Sequence, residues 1–277
     1  MSSINGKTVL ITGGASGIGK LMGEKLLKAG AKQLVIWDIN KENLDKTSFE
    51  LKAGGFTVFP HVVDISDTDK VIELAKTVKK ETGSVDILIN NAGVVAGKRF
   101  ANLSHKEIDF VMNINSLAMM HITLEFLSDM IKKGNAHIVN ISSAAGYVAN
   151  PKMSVYAASK WAALGWSESL RIELEELHKD LHVTTVTPFY INTGMFEGVK
   201  SNPFLPILDS DKITDVIIEA IKNNKLFVRE PLLVKTVPFV KGILPTRVFD
   251  WFAGRILGIY KSMDNFVGHE GKNHGKD

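Results

Sequence analysis

Short apolar runs alternate with stretches of helical spacing from residue 7 to about residue 230. Lys7–Thr12 (KTVLIT) is β-branched and ends in glycines, so it predicts a buried strand. Ile18, Leu21, Met22 and Leu26 then fall at helical spacing, predicting a helix over Gly17–Ala29 with Gly30 as its stop. The same reading predicts strands at Gln33–Asp38, Phe56–Val63, Asp86–Asn90, Ala136–Ile141, His182–Thr187 and Lys225–Val228. Between them it predicts helices over Lys41–Ala53, Asp67–Thr82, Ser104–Met130, Ser154–His178 and Asp211–Asn223. Ser104, with Glu107 three residues on, has the form of a capping box. Strands that are apolar throughout and alternate with helices imply a parallel sheet covered on both faces. Right-handed crossovers then give a doubly wound α/β sheet of seven strands, in the order 3-2-1-4-5-6-7.

The chain has 277 residues and shows no linker or internal repeat, so one domain over 1–230 is expected, carrying an extension over 231–277. With 45% apolar and 23% charged residues it reads as an ordinary globular chain, which excludes disorder and a coiled coil. Cysteine is absent, which removes disulfides, thiolate catalysis and cysteine-held metals, and agrees with a reducing, cytoplasmic setting. Met1–Lys7 has no apolar run, so neither a signal peptide nor an N-terminal anchor is expected. The net charge of +3 is too small to argue for nucleic acid.

Chemistry begins at Thr12-Gly13-Gly14-Ala15-Ser16-Gly17-Ile18-Gly19, between the first strand and the first helix. Glycines there let the backbone approach a pyrophosphate, and the helix N-terminus offers it positive potential. Gly13, Ser16, Gly17, Ile18 and Gly19 are therefore candidate cofactor contacts in a Rossmann-type fold. Asp38 ends the second strand nineteen residues after Gly19, where a carboxylate accepts from both ribose hydroxyls and repels a 2′-phosphate. Ser16 and Ile39 offer that phosphate no cation, so NAD is expected rather than NADP. Asp64, with Ile65 beside it, follows the third strand, where it can accept from an adenine amino group. Asn91-Ala92-Gly93 follows the fourth strand and keeps side chains small where a cofactor passes close to the backbone. Either stretch alone could be turn chemistry.

Tyr156 and Lys160 stand four residues apart near the start of the long helix after the fifth strand, which puts phenol and ammonium on one face. A cation within about 4–6 Å favours phenolate and makes a general base accessible near neutral pH. Ser143 lies thirteen residues earlier, at the C-terminal end of the fifth strand, where open α/β sheets bind ligands.

Taken in order and spacing, Thr12–Gly19, Asn91–Gly93, Asn115, Ser143 and Tyr156 with Lys160 resemble the short-chain dehydrogenase/reductase superfamily, over residues 4 to about 230. The resemblance implies that Tyr156 is the acid/base and that Ser143 holds the substrate oxygen. It implies that Lys160 lowers the tyrosine pKa and binds the nicotinamide ribose, with Asn115 anchoring a water relay behind it. Ser142 is the neighbouring rival, but the thirteen-residue spacing selects Ser143. After the sixth strand the family has Pro-Gly and then a threonine meeting the nicotinamide carboxamide. Pro188, Ile191 and Thr193 match that pattern, while Phe189 replaces the glycine. Asn192–Phe196 and Phe249–Phe252 further resemble the retinol, epidermal retinal and 17β-hydroxysteroid dehydrogenases, whose usual N-terminal membrane anchor is not expected here.

The residues expected at the substrate are Ala145, Val148, Met153, Phe189, Tyr190, Met195 and Phe196, beside Ser143 and Tyr156. They are apolar or aromatic, which suits a retinoid, a steroid or a long-chain aliphatic alcohol. His121, His137 and His178 do not converge with acids, so no metal is expected. Two rivals stay open: an NADPH-dependent ketoreductase, and a nucleotide-sensing protein without turnover. A homodimer paired through the long helix is expected, with a tetramer as the alternative. Within Leu232–Met263, Lys235, Lys241, Arg247, Arg255 and Lys261 stand against Asp250, a local charge of +4 that leaves −1 for the rest of the chain. The prolines at 231, 238 and 245 predict a loop-like approach. From Thr246 a helix would gather Arg247, Asp250, Arg255 and Lys261 opposite Val248, Phe249, Phe252, Ile256, Ile259 and Tyr260. Such a segment either packs on protein or makes peripheral contact with a membrane.

Overall fold

The computed structural model describes residues 3–267, so 268–277 of the C-terminal extension, and Met1 and Ser2 of the N-terminal segment, lie outside the described residues. Seven parallel strands lie in the order β3-β2-β1-β4-β5-β6-β7, as the alternation predicts. They are β1 (Thr8–Thr12), β2 (Gln33–Asp38), β3 (Val58–Val62), β4 (Ile87–Asn90), β5 (Asn135–Ile141), β6 (Asp180–Pro188) and β7 (Phe227–Glu230). The helices between them are α1 (Gly17–Lys28), α2 (Lys41–Ala53), α3 (Thr68–Thr82), α4 (His105–Met112), α5 (Ala118–Lys133), α6 (Ser154–Glu175) and α7 (Ser210–Lys222).

Period-two alternation splits the strand residues between two cores. Val9, Ile11, Leu34, Ile36, Ile87 and Ile89 pack with Met22 and Leu26 of α1 and Ile213, Ile217 and Ile221 of α7. Leu10, Val35, Trp37, Leu88 and Ile138 face the other way, against Val71 and Val78 of α3, Ile122 and Phe126 of α5 and Leu170 of α6. Two packed faces leave only the strand ends open, and the loops after β1, β4, β5 and β6 meet at the C-terminal edge.

Three features differ from expectation. The helix opening at Ser104, whose capping box is present, is not regular: a π turn, Asn113–Leu117, joins α4 to α5. The stretch His105–Lys133 is long and apolar enough to cross a membrane, yet half of its most apolar window is buried against the fold. The approach through residues 231–245 is helical rather than loop-like: α8 covers Leu232–Ile243 despite Pro238, and α9 covers Thr246–Trp251. Pro231 and Pro245 sit just before these helices, where a missing N–H costs nothing. The helix from Thr246 is also short, passing into a π turn at Phe252–Ile256. Its expected two-sided pattern is corrected accordingly. Phe249, Ala253 and Ile259 are buried, whereas Val248, Trp251 and Ile256 face outward.

Candidate active site

The turn after β1 is tied to the loop after β4. Thr12 Oγ1 accepts from the N–H groups of Asn91 (3.0 Å) and Ala92 (3.1 Å), and Asn91 Nδ2 donates to Thr12 O at 2.9 Å. Gly13 has a φ of +63°, and a Cβ on Gly19 would stand 2.2 Å from Gly13 O, so the helix start lies against the turn with no room for a side chain. Asp38 reaches this turn from β2: one carboxylate oxygen accepts from Ala15 N at 3.0 Å and the other from Asn40 N at 2.9 Å. Ile39 beside it is 64% exposed and brings no charge. Asp64 spends one oxygen on Ser66, accepting from N at 2.9 Å and from Oγ at 2.7 Å.

Tyr156 sits in the first turn of α6, with Lys160 one turn on, and both are buried. Lys160 Nζ lies 5.7 Å from the centre of the Tyr156 ring and donates to Ile141 O at 2.9 Å, at the end of β5. Ser143 extends from the same strand end and lines the same cavity as the phenol, and its hydroxyl accepts from Ala145 N at 3.1 Å. Ser142 turns away: its hydroxyl donates to Lys160 O at 2.9 Å. Burial pushes the Tyr156 phenol well up, and Ser143 pulls in the opposite direction. Burial also pushes the Lys160 ammonium down, to about 8. The lowering of the tyrosine expected from Lys160 is not found in this arrangement, where burial, with Tyr190 nearby, raises the phenol.

Asn115 stands in the π turn behind Lys160. Its Oδ1 accepts from Val94 N at 2.8 Å, and its Nδ2 donates to Val94 O at 2.9 Å and to Ser159 Oγ at 3.0 Å. The turn's extra residue lets one helix clamp the β4 loop and α6 together.

One cavity of about 470 Å³ gathers nearly every residue singled out in the sequence. At one end are Gly13, Ser16, Gly17, Ile18, Gly19, Asp38, Asp64, Ile65, Asn91, Ala92 and Gly93. Next come Ser143, Tyr156, Lys160, Pro188, Ile191 and Thr193. At the other end are Ala145, Val148, Met153, Phe189, Tyr190, Met195 and Phe196. Asn115 does not line it; it supports the wall from behind. Phe189, in the place of the glycine, donates its N–H to Glu230 O at 2.8 Å, and its ring lies 4.4 Å from that of Tyr190.

Residues 7–203 match the family model of the short chain dehydrogenases. The chain belongs to that family. It is therefore an oxidoreductase of the short chain dehydrogenase type, a family that binds a nicotinamide cofactor. Over 274 residues it is 38% identical to the epidermal retinol dehydrogenase 2 of Mus musculus, covering 98% of this chain and 88% of the relative. Over 271 residues it is 33% identical to the mouse estradiol 17-beta-dehydrogenase 11, covering 98% and 89%. Among solved structures, a short chain dehydrogenase/reductase from Burkholderia phymatum in complex with NAD superposes with a TM-score of 0.78 at 27% identity, covering 86% of this chain and 94% of that one. A metagenomic short-chain oxidoreductase in complex with NADP gives 0.69 at 29% identity, covering 82% and 96%. The residues present fit a dinucleotide, since the Gly13–Gly19 cradle would be filled by a Cβ and Asp38 stands at its rim.

The sequence placed the substrate cleft within 1–230, but Leu233, Val234 and Val237 of α8, with Leu257 and Ile259, also line the cavity. Asn150 lines it too. Its signal is weak, a lone amide before a proline, whereas the apolar run from Leu232 could have been read as a wall.

Proposed function

We propose that the protein is an NAD(H)-dependent oxidoreductase that interconverts a lipophilic primary or secondary alcohol and its carbonyl, with Tyr156 as the acid/base. The observation that carries this reading is the meeting of Ser143, Tyr156 and Lys160 midway along one cavity, between the glycine cradle and an apolar chamber. The nicotinamide supplies or takes the hydride when bound. In carbonyl reduction Tyr156 Oη gives its proton to the substrate oxygen while Ser143 Oγ donates a second hydrogen bond to it. In alcohol oxidation the same phenol, having lost its proton, takes the one from the hydroxyl. Lys160 holds positive charge beside the ring, and Asn115 keeps α6 and the β4 loop at a fixed spacing. Asp38, with neither Ser16 nor Ile39 offering a cation, supports NAD over NADP.

Among the described residues, the chamber walls carry no arginine or lysine besides Lys160, which favours a retinoid, a steroid or a long-chain alcohol over a sugar or an acid. Phe110, Leu117 and Leu124, spaced seven residues apart from α4 through the π turn into α5, and Trp161 and Ile172 of α6 are exposed apolar side chains that suit a homodimer. The outward side of the 232–263 segment suits peripheral contact with an anionic lipid surface. The deciding experiment is NAD reduction against a panel of retinoids, steroids and aliphatic alcohols, beside titration of both dinucleotides. Tighter NADP than NAD binding overturns the cofactor reading. Turnover confined to polar alcohols overturns the substrate class.

A further inference from the structure

Past the short turn at Ile259–Lys261 the chain runs on as Ser262–Val267, bonding to two loops and packing on a third. Ser262 O accepts from Lys200 N at 3.1 Å, and Val267 N donates to Glu197 O at 3.0 Å, so both ends of this crossing hold the middle of the loop after β6. Lys152 Nζ, from the loop after β5, donates to Met263 O at 3.1 Å and to Asp264 O at 3.3 Å. Ser262 Oγ accepts from Asn150 Nδ2 at 2.9 Å and shares a hydrogen bond with Tyr190 Oη at 2.9 Å, inside the protein. Phe266 presses on the loop after β4: a Cβ added to Gly97 would stand 2.1 Å from its ring. A Cβ on Gly198, at φ +84°, would likewise stand 2.1 Å from Asn265 O. Both glycines therefore make room for this crossing.

The crossing also reaches the reacting groups through one intermediary. The Phe266 ring lies 6.4 Å from that of Phe196, which meets Tyr156 edge-on at 6.0 Å. Met263 is buried in the same cluster as Met153, Tyr156 and Tyr190.

We propose that Ser262–Val267 is a strap that ties down the loop after β6, with Phe266 as a positioning residue that sets Phe196 against Tyr156. Substrate then enters and product leaves when the strap lifts. The functional consequence rests on the alcohol dehydrogenase reading above; the mechanical claim does not, and the two are tested separately. Lys200 is itself bonded to the strap, which makes tryptic cleavage after Lys200 a direct reporter of strapping. In Phe266→Ala, cleavage there should quicken by about fivefold or more, since local opening governs access to a folded loop. Gly97→Ala, which puts a methyl where the ring lies, should do the same. With a turned-over alcohol, KM should rise by about fivefold while cofactor affinity stays at the wild-type value, as expected when only the substrate wall has loosened. A chain ending at Val267 should behave as the full chain. Unchanged cleavage and unchanged KM in a folded Phe266→Ala protein would overturn the strap, as would wild-type behaviour of a chain ending at Lys261. If no alcohol on the panel is oxidised by the intact protein, the functional reading fails while the cleavage comparison still decides the strap.

Discussion

Tyr156 and Lys160 are both enclosed, and enclosure disfavours the charged form of each. Burial pushes the phenol up and the ammonium down to about 8. A protonated phenol is ready to give its proton, and the reverse reaction must first remove it. Alcohol oxidation should therefore speed up as pH rises from neutral, while carbonyl reduction changes little until the phenol itself loses its proton, in paired kcat/KM profiles. Tyr156→Phe deletes only the ionisable oxygen. It should leave less than about a tenth of the turnover, given the usual worth of a positioned acid/base, with dinucleotide binding intact. Retained activity above that level would remove Tyr156 from its role. Asp38 makes a second residue-scale case, because its carboxylate bonds Ala15 N within the turn as well as facing the cavity. Asp38→Ala should narrow the preference for NAD, and adding Ile39→Arg should begin to admit NADP by offering a guanidinium to the 2′-phosphate. Dinucleotide titrations of both variants check this.

At the scale of elements, the strands were legible because each is a short apolar run bounded by turn chemistry, and the sheet order followed from crossover handedness alone. The π turn at Asn113–Leu117 was not, since one extra residue in a helix leaves no mark on a hydrophobic period. Nor was α8: prolines were read as breakers, although two of the three lie just outside helices. Asn115 shows what the π turn does, because its amide satisfies both polar groups of Val94. Asn115→Ala strands that pair in the interior and should cost about 1–3 kcal/mol, read as a lower unfolding midpoint together with reduced turnover. The β5–β6 pair holds a different titration. His137 is buried, its Nε2 is 2.7 Å from Thr184 Oγ1, and burial with the nearby His182 lowers its pKa from 6.5 to about 3. The folded state thus takes the neutral ring. Its contribution is whole above pH 6.5 and is lost as pH falls toward 3, with a slope of at most about 1.4 kcal/mol per pH unit. Denaturant melts of His137→Gln between pH 6.5 and 4 should show a flatter decline than wild type.

At the scale of the whole molecule, α8 and the segment after it have two working sides. Inward, Leu233, Val234, Val237, Leu257 and Ile259 wall the cavity. Outward, Leu232 (70% exposed), Phe239 (71%), Ile243, Val248, Trp251 and Ile256 are exposed. Leu232–Met263 carries five cations against Asp250 alone, a local charge of +4 where the rest of the chain sums to −1. An apolar, tryptophan-bearing face rimmed by lysine and arginine matches an anionic interface in both burial and charge. A second copy of the chain, carrying the same +4, would meet repulsion there. A lipid-dissolved alcohol would then lie one helix thickness from the chamber. Phe239→Ser combined with Trp251→Ser removes two largely exposed anchors and leaves the buried cores untouched, so the fold should survive. Pelleting with phosphatidylserine-containing vesicles should fall several-fold against wild type and weaken with added salt, as screening of the basic rim requires. Equal pelleting would exclude this face as the contact. A change of oligomeric state in the double variant would instead assign the face to a subunit interface.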